Sequence, residues 1–187
     1  MRRAFPLAVF LFLSASVSAD AHEAINGGGP FINGLFHPFI VPAHVLALIA
    51  LGLWLGRQDN GALRRSVIAF AVALIVGLVA GPFGTLPAFV PDVLALCIGA
   101  LAATGWRAPA SITVIVALGI AVLIGFDSAS EDPLMSLGIW AGAHLIVLNV
   151  INIVLRLKAA WLIVGVRVIG AWIAAIALML LALGLKS

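Results

Sequence analysis

The stretch His37-Pro38-Phe39-Ile40-Val41-Pro42-Ala43-His44-Val45-Leu46-Ala47-Leu48-Ile49-Ala50-Leu51-Gly52-Leu53-Trp54-Leu55-Gly56-Arg57 decides the fold class. From Pro38 to Gly56 it runs apolar for about twenty residues, the length that crosses a hydrocarbon core. It stops at an arginine, and His44 is its one ionisable interruption. The rest of the chain repeats this pattern. Of 187 residues, 64% are hydrophobic and 9% charged, and the mean hydropathy is +1.27. A soluble domain carries about a quarter charged residues. Lipid is therefore the solvent this composition requires.

Five further runs follow: Ser66–Gly81, Asp92–Gly105, Ala110–Phe126, Leu134–Leu155 and Ala160–Leu185. The third is short, with a start as early as Leu86 also compatible. Gly81-Pro82-Phe83-Gly84-Thr85-Leu86-Pro87 reads as a turn or partly re-entrant link. The expectation is an all-α integral membrane protein. A bundle of six transmembrane helices (38–56, 66–81, 92–105, 110–126, 134–155 and 160–185) fills a membrane domain over residues 22–187. Before it, Met1-Arg2-Arg3, the apolar stretch Ala4 to Val17, and Ser18-Ala19-Asp20-Ala21 form the three parts of a cleavable signal peptide over residues 1–21. Cleavage after Ala21 makes His22 the first mature residue; cleavage after Ala19 competes.

Charge sets the orientation. With the mature N-terminus outside, Arg57, Arg64, Arg65, Arg107, Arg156 and Lys158 fall in inner loops, and Lys186 falls outside. Glu23, Asp92, Asp127, Glu131 and Asp132 lie on the outer side. This is the positive-inside bias. It places both ends of the mature chain on the outer, periplasmic side of a bacterial inner membrane. The net charge of +3 has no basic stripe with interleaved aromatics, so nucleic acid is not an expected partner. The single cysteine, Cys97, allows no intrachain disulfide and reads as a packing residue. Gly77-x-x-x-Gly81 and Gly138-x-x-x-Gly142 are small-residue pairs suited to close helix contacts, and the five tryptophans read mostly as interfacial anchors.

Polar groups inside spans are costly and so informative. They are His37, His44, Asp92, His144, Asn149, Asn152 and Arg167. His37 and His44 are seven apart, about 10 Å along a straight helix and too far for one metal ion. Pro42 disturbs a regular helix. A helix starting there would leave His37 on a loop able to fold back, so that both rings could meet one cation. Spacing alone slightly favours histidines hydrogen-bonded at the interface. His144, near the middle of the fifth span, lies too deep for that explanation; interhelical hydrogen bonding and metal ligation stay open. Asp92 reads as a helix cap or as a carboxylate ligand. Asp127, Glu131 and Asp132 form a solvated loop or a cation-concentrating mouth.

Ala21-His22, the glycine-rich stretch after it, Gly34-Leu35-Phe36-His37-Pro38 and His44 to Trp54 together resemble the start of the HupE/UreJ family. The family's His-Pro-x-x-Gly-x-Asp-His motif is matched at His37, Pro38 and His44, with Val41 in place of glycine and Ala43 in place of aspartate. Leu86 to Asp92 is similar to the family's approach to its third span, with Asp92 where glutamate is usual. Ala143-His144-Leu145 is similar to its fifth-span histidine. The fourth span departs: Phe126-Asp127-Ser128-Ala129-Ser130-Glu131-Asp132 stands where the family often has His-Gly-x-x-His-Gly. This looks like a divergent branch.

The resemblance implies a permease for a divalent transition metal, nickel or cobalt, admitted from the acidic outer face. The candidate ligands are His37, His44, Asp92, His144 and, as a speculative outer contact, His22. Ni2+ or Co2+ would be cargo rather than a tightly bound cofactor. The alternative is a non-transporting membrane accessory or metal-sensing subunit. No enzyme is expected, since the chain has no P-loop, nucleophile elbow, zinc-protease helix or CxxC. Expected partners are the lipid bilayer, a divalent metal ion, and a second copy or an accessory protein.

Overall fold

The computed structural model describes residues 28–186, and of residue 160 the backbone alone. The signal peptide over residues 1–21 and the candidate ligand His22 lie outside the described residues.

The decisive stretch forms two helices. α1 (Pro30–Ile40) and α2 (Pro42–Leu55) meet at a 75° bend. Val41 at the bend is extended, φ −80° and ψ 109°, because a following proline disfavours the helical conformation. The Val41 N–H still donates to the His37 carbonyl at 3.3 Å, closing α1. The Val41 carbonyl accepts from Val45 at 3.1 Å, opening α2. The break falls where the proline argument placed it. His37, however, sits on a helix rather than a loop. Pro30 presets the first helical φ, and no residue from Phe31 to Ile40 stops the helix it starts.

The remaining helices are α3 (Asn60–Ala80), α4 (Val90–Thr104), α5 (Ala110–Asp127), α6 (Pro133–Arg156) and α7 (Ala160–Gly184). A 3-10 turn, Gly81–Phe83, follows α3. α3 begins six residues before the run Ser66–Gly81, its first turns carrying Arg64 and Arg65. α4 starts at Val90, not near Leu86. Pro133 at the first position of α6 and Asp132 before it make a strong start: the Asp132 carboxylate accepts from the backbone N–H of Leu134 at 2.8 Å and of Met135 at 3.4 Å. One acid of the α5–α6 loop thus has a structural duty.

Four helices, α3 with its following turn, α5, α6 and nearly all of α7, are long and apolar enough to cross a membrane; counting the bent pair α1–α2 as one span makes five. α4 has 15 residues, about 22 Å at 1.5 Å per residue, against a hydrocarbon core of about 30 Å. The described residues thus form an all-helical membrane bundle in which α4 is a shorter apolar helix.

α2 is the axis of the bundle. Ten of its 14 residues are buried, because α4, α6, α7 and α1 all pack on it. Around it the other helices pair closely: α3 with α5, α4 with α7, and α1 with α6. Both small-residue pairs lie in such contacts. A Cβ added at Gly138 or Gly142 would run into the carbonyl oxygen of Phe31 or Leu35 on α1; one added at Gly77 would strike the carbonyl of Val122 on α5. The backbones themselves touch, the mode that drives helix association when lipid removes the hydrophobic advantage of burial.

Large apolar side chains cover the outer faces, among them Val72, Val79, Ile115, Ile153, Trp172 and Met179, each more than half exposed. A water-facing surface would not carry so much apolar area. The tryptophans divide. Trp161, near the start of α7, and Trp106, in the α4–α5 link, are exposed as anchors should be; Trp172 is exposed but lies at the middle of α7. Trp54 is buried, its indole N–H donating to the Trp106 carbonyl at 3.0 Å; Trp140 is half-buried and donates to the Ala71 carbonyl at 3.0 Å. Cys97 is exposed, not packed in the core.

Candidate functional site

His44 lies in the first turn of α2, 1% exposed. A buried imidazole needs partners for both ring nitrogens, and α5 supplies them. Its last residue, Asp127, places Oδ2 2.9 Å from His44 Nε2; the next residue, Ser128, places Oγ 3.2 Å from Nδ1. An ionised carboxylate only accepts, so Nε2 carries a proton and donates. With neutral His44, the Ser128 hydroxyl then donates to the Nδ1 lone pair. The 75° bend brings the His37 ring, on the last turn of α1, to 5.9 Å from the His44 ring between centroids.

Asp127 also faces outward. With Glu131 it lines a cavity of roughly 420 Å3 walled by Gly81, Pro82, Thr85 and Phe126. Two carboxylates and a proline-glycine rim thus form a mouth whose acid is bonded directly to a buried histidine. Such a concavity concentrates cations.

Asp92 stands on another helix, in the first turn of α4. Among the described residues no group of three or more His, Cys, Asp or Glu side chains gathers closely enough to hold a metal ion. That holds for His37, His44 and Asp127 together as it does for Asp92; the carboxylate that reaches His44 is Asp127. α4 packs chiefly on α7 and α2, whereas the C-terminal end of α5 comes down on the first turn of α2. Nor does Asp92 cap its helix through its side chain. It sits in the first turn after an N-cap at Phe89, where its charge favours the helix dipole.

His144 is a separate place. It is 9% exposed on α6, its ring centroid 4.2 Å from that of Trp140 and 5.1 Å from that of Phe70. The Trp140 carbonyl, an acceptor only, lies 2.7 Å from Nδ1, so the proton is on Nδ1. Nε2 keeps its lone pair, buried and without a partner among the described residues. Counted from Pro133 at 1.5 Å per residue, His144 is about 16 Å along α6. Of the two asparagines on this helix, Asn149 is exposed and returns its amide to the Leu145 carbonyl, while Asn152 accepts from Arg156 Nε at 3.3 Å. Arg167 is exposed and donates to the Ala103 carbonyl at 3.0 Å.

Sequence reasoning missed two residues and one contact. Asp127 was legible as part of a solvated loop or a cation-concentrating mouth but not as a partner of His44, and Ser128 was not singled out, although both stand where the resemblance sets histidines. Gln58 gave no signal at all. It is buried, donates to the carbonyls of Trp54 and Trp106, and accepts from Ala108 N–H, tying the α2–α3 link to the α4–α5 link.

A multi-span helical membrane protein, with a histidine buried at a helix break and bonded to an acidic mouth, is the class that fold and site define. The chain matches the HupE / UreJ protein family over residues 9–180. It is 31% identical over 142 residues to Protein HupE of Rhizobium leguminosarum bv. viciae, a stretch covering 72% of this chain and 74% of that one. It belongs to the HupE/UreJ family. No solved structure matches it.

Proposed function

We propose that the protein is a permease for a divalent transition metal ion, nickel or cobalt, admitted from the outer face. The family is associated with nickel and cobalt uptake for hydrogenase and urease, and imidazole suits both metals. The observation that carries the reading is the His44–Asp127 contact of 2.9 Å at the floor of the acidic mouth, with His37 alongside. A cation reaching the mouth meets the Asp127 carboxylate first. To bind His44 it must take Nε2 from Asp127, displacing a proton, or Nδ1 from Ser128. The pair is thus a closed resting state that a cation opens by competition. His144, deeper along α6 with an unshared lone pair on Nε2, is the next station, and Asp92 contributes charge on the outer side rather than a ligand beside the pair. In this reading α4 completes six spans, the signal peptide is removed, and both ends of the mature chain lie outside an inner membrane.

The test is uptake of radiolabelled nickel and cobalt by cells expressing wild type, His37→Ala, His44→Ala or His144→Ala at matched levels. Loss of flux in all three variants is expected; wild-type flux in the His44 variant refutes the site. One observation favours a second reading, a non-transporting accessory or metal-sensing subunit: both His44 nitrogens already have protein partners. Metal binding by purified protein, without flux in proteoliposomes, would establish that reading instead.

A further inference from the structure

The end of the bundle opposite the acidic mouth carries a feature that cation permeation does not use. Arg57, in the α2–α3 link, and Arg107, in the α4–α5 link, line one cavity of roughly 230 Å3 together with Gln58; Val154, Leu157 and Val166 form its apolar side. A third guanidinium, Arg167 of α7, packs over the same α4–α5 link. Its Nε donates to Ala103, and its side-chain carbons lie against Gly105, whose φ of 67° turns the chain there. Three arginines from three segments converge.

Like charges do not converge without cost. Among the described residues none of these arginines is in an ion pair, and Arg57 Nε is buried with no acceptor. Burial, with Arg107 and Arg167 nearby, pulls Arg57 below the ordinary arginine value. Arg64 and Arg65, by contrast, are exposed on α3 and satisfy an inner-face charge bias without any pocket. The scaffold around the cavity is also rigid: Gln58 is held by bonds at 3.0, 3.2 and 3.0 Å. A half-buried Arg57 short of an acceptor, beside the exposed guanidinium forks of Arg107 and Arg167 on a fixed frame floored by apolar side chains, matches the needs of a phosphate group.

We propose that Arg57, Arg107 and Gln58, with Arg167 beside them, form a binding site for an anionic phosphate group at the inner end of the bundle. The phosphate neutralises the convergent arginines and clamps the α2–α3 and α4–α5 links together. Its source is the headgroup of an anionic phospholipid or free phosphate, and the two are separable.

The full chain, purified in detergent and stripped of lipid, is offered equal amounts of phosphatidylglycerol and phosphatidylcholine, with and without millimolar inorganic phosphate. Adducts are counted by native mass spectrometry. Preferential retention of phosphatidylglycerol by at least about tenfold, unaffected by phosphate, assigns the site to the lipid. A phosphate adduct that suppresses the lipid preference assigns it to the free anion. In either case Arg57→Gln/Arg107→Gln abolishes the preference and Arg64→Gln/Arg65→Gln leaves it intact. Arg107→Gln alone, at an exposed side chain, carries the test if the double variant does not fold. Equal loss in the Arg64/Arg65 variant, or no phosphate-bearing ligand that distinguishes wild type from Arg107→Gln, overturns the proposal.

Discussion

The imidazole of His44 and the carboxylate of Asp127, 83 positions apart in the chain, meet at 2.9 Å. The contact joins the first turn of α2 to the last residue of α5. With alanine at position 43, the carboxylate at His44 comes from across the bundle.

Asp127→Asn and Asp127→Ala separate the roles of this contact. Asparagine keeps an acceptor for His44 but removes the charge at the mouth. Its folded stability should stay within about 1 kcal/mol of wild type, while metal uptake falls by about tenfold or more. Alanine leaves a buried Nε2 donor unsatisfied and should cost about 1–3 kcal/mol in addition. Thermal unfolding in detergent, measured beside uptake, checks both. Unimpaired uptake in Asp127→Asn would remove the acidic mouth from the transport path.

His144→Phe tests the deeper station. A phenyl ring suits the space between Trp140 and Phe70 and removes the unpaired Nε2, whose burial costs on the order of 1–3 kcal/mol. Stability should hold or rise, and metal flux should fall. A variant that is both stable and fully active would show that His144 only packs.

The α1–α6 seam predicts a size limit. Gly138→Val would force a side chain into the Phe31 carbonyl and open the seam, costing about 1–3 kcal/mol. Gly119→Ala meets nothing within 4 Å and should be neutral, or stabilising by about 0.5–1 kcal/mol through helix propensity. Melting curves of the two variants decide it. Equal effects would mean that the helices do not approach as closely as the glycines allow.

Topology is checked by labelling. In a Cys97→Ala background, Ser130→Cys should react with an impermeant thiol reagent in intact cells and Asn60→Cys should not. Intact mass of the same membrane-extracted protein should show a chain beginning at His22. Labelling at position 60 would invert the orientation; retention of Met1 would remove the signal peptide and change the span count.

Some of this was legible from residues alone because it is local. Long apolar runs ended by arginines imply helices in lipid, whichever neighbours they acquire. The proline at position 42 disturbs a straight helix, so a break there could be expected before any fold was known, although Pro38 is carried inside α1. The same local reasoning overreached at His37, where a loop was expected and Pro30 instead starts a helix. It also overreached at Trp54 and Trp140, whose nearness to span ends suggested anchors although the tertiary packing buries Trp54 and half-buries Trp140.

What only the tertiary structure decided is partnership. The sequence by itself named His44 but could not say which carboxylate meets it; Asp92 and Asp127 both stand at ends of apolar runs. The choice depends on which helix end descends on α2, and it is the C-terminal end of α5, which pairs with α3 across Gly77. Spacing along the chain showed which small residues let backbones approach, but which helix lies across from each is decided only in three dimensions. Gln58 is the same lesson at the other end: an ordinary polar residue in a loop became a buried cross-link because two links that are distant in sequence close over it.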